Sequence, residues 1–173
     1  MAQRSTQPCE PNARVQPGHR MLHLQRPRVR VNRMTHAPAI GTALLRIVLG
    51  VVMLAHGIQK LTVFTVAGVQ DMLAGLGLPL PEVLGIALPV AEVAAGALLI
   101  LGLLTRVAGA ITVVVGLGAL FTTHLDAGFF ASDGGYEFVL LIAAAGAAFV
   151  FLGGGRFALD SVVPIGGRSG RKG

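Results

Sequence analysis

Six ionisable side chains fall within or at the edges of strongly apolar stretches: Arg46, His56, Lys60, Glu92, His124 and Glu137. An ionisable group inside a bilayer costs about 2.5–3.5 kcal/mol on insertion scales, so it normally faces a bundle interior and is a functional suspect. Three chemistries suit this set. In a redox reading the groups bind a quinone head group, whose two carbonyls need hydrogen-bond donors and whose reduction consumes protons that His and Glu can carry. In a structural reading Lys60 and Glu137 snorkel to water, while Glu92 pairs with Arg46 or His56 to hold helices together. A transport or metal reading comes third. No His-x-x-Glu or His-x-x-x-His spacing supports a metal, so none is expected, and bis-His haem ligation by His56 and His124 is weaker still.

Positioning such groups requires membrane helices, and the composition supplies them. Of 173 residues, 53% are apolar and 13% charged, about half the charge of an ordinary soluble domain. Four apolar stretches follow: Ile40 to Leu61, Pro81 to Leu104 with Glu92 inside it, Val107 to Leu125 without a formal charge, and Phe138 to Gly155. Each is long enough to cross a bilayer. The first has no small-residue cleavage site after it and is expected to stay attached as a span. Pro89 should kink the second. Between the first two, Val66, Val69, Leu73 and Leu76 form one helical stripe opposite Gln70 and Asp71, which predicts a short amphipathic surface helix. The fold class is therefore all-α, a four-transmembrane-helix bundle with one short surface helix.

The net charge of +6 belongs to one end of the chain. Residues 1–39 hold seven arginines against Glu10, and residues 40–173 balance seven bases with seven acids. Five of the nine prolines also lie in residues 1–39, which read as a disordered basic tail; a start at Met34 would make that tail an artefact of gene calling. Its arginines lack interleaved aromatics, so no nucleic-acid partner is expected. The membrane domain spans 40–160 and a second short tail 161–173. Arg106, Arg156, Arg168, Arg171 and Lys172 lie on the tail's side of the membrane and only Lys60 on the other, so both termini are expected to be cytoplasmic.

That topology places the six groups. On the first span Arg46, His56 and Lys60 lie within about 80° of one another around the helix, with Arg46 near the inner end and the other two in the outer third. His124 ends span three and Glu137 opens span four on the outer side, and Glu92 descends to mid-membrane. His56, Lys60, His124 and Glu137 thus share one outer layer with Glu92 below. Ala87, Ala91 and Ala95, then Gly109, Gly116 and Gly118, then residues 143–148 offer small surfaces for helix packing.

Several functions are excluded. The lone Cys9 rules out a disulfide scaffold, a cysteine-ligated metal centre and thiol-shuttling chemistry. No nucleotide fingerprint or Ser-His-Asp arrangement is present, and the three glycines at 153–155 read as a helix end.

Taken in order, Leu45-Arg46 with Gly50, His56-Gly57-x-x-Lys60-Leu61, Leu76-Gly77-x-Pro79, Glu92 with Gly96, Gly102-Leu103-x-Thr105-Arg106 and the closing Gly153 to Asp160 resemble the DoxX family of small four-helix bacterial membrane proteins. The likeness covers about residues 40–160; Ala158 stands where the family often has Ser. It implies a multi-pass protein of the bacterial plasma membrane, associated with quinol oxidase or thiosulfate–quinone oxidoreductase subunits or with complexes managing oxidative and thiol stress. It also implies other subunits of an oxidoreductase complex as partners, and it marks His56, Lys60 and Glu92 as catalytic candidates. The residues themselves add Arg46, His124 and Glu137 as cofactor-binding candidates, with quinone the one cofactor considered. An accessory subunit is expected rather than a complete enzyme, and a homo-oligomer is one arrangement considered. A non-enzymatic scaffold and a small-molecule transporter are the alternatives.

Overall fold

The computed structural model describes residues 36–162. The expected N-terminal tail lies outside these residues up to position 35, and the expected C-terminal tail from position 163. Five helices follow one another: α1 (Ala37–Thr62), α2 (Thr65–Gly75), α3 (Pro81–Leu101), α4 (Thr105–Ala119) and α5 (Glu137–Leu152). A single π-turn, Leu120–His124, prolongs α4, and short 3-10 turns lie at Ala131–Asp133 and Leu159–Ser161. The first, third and fourth helices are long and apolar enough to cross a membrane, the fourth when counted with its π-turn; α5 is apolar and shorter. The protein is an all-α, multi-pass membrane protein.

Local chemistry sets the helix limits. Pro38 and Pro81 occupy first-turn positions, where a missing N–H costs nothing. Gly102, at φ +70°, closes α3 three residues before the expected end of that span. Gly153, also at φ +70°, stops α5 after sixteen residues where eighteen were expected.

The bundle is two tight antiparallel pairs, α1 with α3 and α4 with α5, joined where α3 meets α4. Both pairs close through glycine. A Cβ on Gly96 would lie 2.5 Å from the Leu54 nitrogen and 2.7 Å from the Gly50 oxygen, and one on Gly109 would lie 2.8 Å from the Gly146 oxygen. Backbones this close gain van der Waals contact that lipid cannot replace. The expected alanine stripe contributes less: Ala95 is fully buried, whereas Ala87 faces outward. Leu99, Ala108 and Phe149 centre the core. Large apolar side chains such as Val48, Val51, Val90, Val114 and Leu141 are exposed around the helix exteriors, the pattern of a lipid-facing surface.

The expected short helix is present as α2, with Val69 and Leu73 buried, whereas Leu76 lies beyond its end and is exposed. Gln70, expected on its polar side, instead turns to α3 and donates to the Glu82 carbonyl at 2.9 Å. The first turns of α3 therefore run alongside α2. Gly57 of α1 meets Pro89 and Val93, so Glu92 lies level with the second half of α1 and not midway between Arg46 and His56.

Candidate functional site

At the end of the bundle where α1 finishes, a cavity of about 280 Å³ opens between α1, α3, α4, α5 and the loop before α5. Its polar wall is His56, Lys60, Glu92 and His124, and Met53, Phe138 and Ile142 are among its apolar lining residues. Four of the six sequence candidates, contributed by two helices and a π-turn, thus converge on one space.

Glu92 is 4% exposed, and both its oxygens accept from Lys60 Nζ at 2.9 Å. This is the ion pair among the described residues. It corrects the structural alternative, which paired Glu92 with Arg46 or His56. The glycine at 57 makes the pairing reachable: α1 and α3 touch there, and Lys60, one turn further on, extends along α3 to the carboxylate.

His56 directs Nδ1 at the Val52 carbonyl, 2.9 Å away, and its ring lies 6.1 Å from that of Phe138 at a 34° tilt. His124 sits in the π-turn, with Nδ1 2.6 Å from the Gly134 carbonyl. Single π-turns recur at functional sites because the inserted residue re-aims the side chains that follow.

Glu137 is in the expected layer but does not line the cavity. Its Oε1 accepts from the Ala131 N–H at 2.8 Å, so it shapes the loop that supplies Ala131, Gly134 and Gly135 to the wall. Gly135 has no space for a side chain, since a Cβ would meet the Gly128 oxygen at 2.3 Å. Phe129 packs edge-on against Phe130 and Tyr136 and stiffens the same loop. Sequence reasoning missed these loop residues, together with Met53 and Phe138; the Gly-Gly pair at 134–135 was the signal of a tight turn there.

Arg46 lies at the opposite end of the bundle and lines no part of the cavity. Buried to 2% exposure, it donates from Nη2 to the Phe157 carbonyl at 3.2 Å. Beside it, the Asp160 carboxylate accepts from the Leu104 N–H at 2.7 Å and the Thr105 N–H at 2.9 Å, capping α4 from across the chain. Burial alone would raise the Asp160 carboxyl, but the Thr105 and Leu104 hydrogen bonds and the Arg46 charge outweigh it and hold it below its ordinary value. Two of the quoted motifs, Gly102 to Arg106 and Gly153 to Asp160, therefore meet in one structural knot. Among the described residues no group of three or more His, Cys, Asp or Glu is arranged to hold a metal ion.

A family model described as DoxX matches residues 41–125, which carry five of the six candidate residues and omit Glu137. A Bacillus subtilis (strain 168) protein named "Putative oxidoreductase CatD" is 31% identical over 132 residues, covering 76% of this chain and 92% of that protein. No solved structure matches the chain.

Proposed function

The chain belongs to the DoxX family, and from that premise we propose that it is a quinone-interacting accessory subunit of a membrane oxidoreductase system. One observation supports this most directly: a small cavity, apolar on one side, closes on His56, His124 and a buried Lys60–Glu92 pair. Apolar walls with a few convergent polar groups suit a planar ring bearing polar substituents. At about 280 Å³ the space fits a ring head group, leaving any long tail in lipid. Met53, Phe138 and Ile142 would hold the ring, and the polar wall its oxygens. When bound, the quinone supplies two-electron, two-proton chemistry, and the protein's own part is to orient the ring and exclude water. The name of the B. subtilis relative fits a redox role. The chain has no cysteine pair or nucleotide fingerprint to supply a second redox centre, which favours an accessory subunit over a complete enzyme.

Protein purified in mild detergent and extracted with solvent should yield stoichiometric quinone by mass spectrometry, with most of it lost in His56→Ala and His124→Ala. A folded bundle that carries none and binds none added back would overturn the reading.

The proposed orientation has both termini in the cytoplasm and the cavity toward the outer face of the plasma membrane, with residues 40–160 as the membrane domain. In a Cys9→Ser background, Asp133→Cys should react with an impermeant maleimide from outside, and Arg156→Cys only after the cells are opened. Labelling of both from the same side would refute it.

A further inference from the structure

We infer that the cavity takes the reduced, hydroxyl-bearing ring of a quinone couple in preference to the oxidised dicarbonyl ring, because its polar wall accepts hydrogen bonds and has little left to donate. The inference rests on the function proposed above and specifies the form of the ligand.

The histidines decide it. A carbonyl oxygen carries no hydrogen, so the contacts of Nδ1 to Val52 at 2.9 Å in His56 and to Gly134 at 2.6 Å in His124 require the hydrogen on Nδ1. The neutral imidazole then has a bare lone pair on Nε2, an acceptor. Glu92 adds a carboxylate, acceptor-only when ionised. Against these, Lys60 has three N–H groups and bonds both Glu92 oxygens, which leaves one free.

The loop offers no replacement donors. The Ala131 N–H is bound to Glu137 Oε1, the Gly134 N–H to the Ala131 carbonyl and the Gly135 N–H to the Phe130 carbonyl. A dicarbonyl ring, which only accepts, would set lone pairs against those of His56 and His124. A hydroquinone ring brings two O–H donors to the same places. Sites built around a substrate hydroxyl discriminate strongly against analogues lacking it, because their own polar groups are then left unpaired.

The test is equilibrium binding to the full chain in lipid nanodiscs, with empty nanodiscs as the partition control. The probes are tetramethylbenzoquinone, its hydroquinone kept reduced under argon with dithionite, and the dimethyl ether of that hydroquinone. The hydroquinone should bind at least about tenfold more tightly than either other probe, a difference of about 1.4 kcal/mol. In His56→Leu, which leaves the loop untouched, the ratio should fall to about threefold or less. Equal affinity for quinone and hydroquinone, or a dimethyl ether that binds as well as the hydroquinone, overturns the inference while leaving quinone binding standing. Absence of binding by all three overturns both.

Discussion

Glu92→Ala should destabilise the bundle by about 3–5 kcal/mol, the usual cost of removing one partner from a buried ion pair. The carboxylate is almost fully enclosed, and both its oxygens face one ammonium, so its removal leaves the Lys60 charge at the cavity wall with no counter-ion. Lys60 retains 18% exposure of its side chain and stands in the last turn of α1, so partial escape toward water sets the loss near the lower figure. Two further variants separate the contributions. Glu92→Gln keeps the shape and one hydrogen bond and should recover part of the loss. Lys60→Met combined with Glu92→Met removes both charges and should come within about 1–2 kcal/mol of the parent, since replacing a whole buried pair by apolar groups is often neutral. Thermal unfolding in detergent, followed by helical circular dichroism, measures all three. A double variant no more stable than Glu92→Ala alone would show that the charge pair is not the source of the effect.

The same pair shows where reading the chain succeeds and where it stops. The spans were legible because charges mark their ends, and antiparallel connection alone carries His56 and His124 to one level. Glu92's partner was not legible, since its depth was counted from Pro81 as though α3 began at the bilayer surface. In the fold the first turns of α3 pack against α2, with Gln70 against Gly85, and the contact of Gly57 with Pro89 and Val93 puts Glu92 within reach of Lys60. Arg46 shared a helical face with His56, but ten residues of helix separate them by about 15 Å, and a common face says nothing about a common site. Glu137 stood in the expected layer with its carboxylate spent on a loop N–H. For Glu92 the missing information was a tertiary contact, and for Glu137 a bond to a loop N–H six residues away.

Asp160→Ala should destabilise the protein by about 2–4 kcal/mol, although Asp160 is far from the cavity. Its carboxylate caps the start of α4 with two hydrogen bonds, at a turn where Leu104 is held at φ +48°, and a lost cap alone costs up to about 2 kcal/mol. The remainder comes from Arg46, whose Nε and Nη1 are buried without a partner among the described residues and whose charge then has no carboxylate nearby. Asp160→Asn, which keeps one acceptor for the turn, should lose less. The acid limb checks the assignment. Asp160 has a lowered pKa in the folded protein, so the unfolded chain binds the proton more readily. Its stabilisation is complete above the unfolded carboxylate value of about 3.9 and drains away as pH falls through the folded one. The stability difference between the parent and Asp160→Asn should therefore be constant near neutral pH and shrink below about pH 4. A difference that stays unchanged at that acidity would mean that the Asp160 charge does not hold the α3–α4 turn to Arg46.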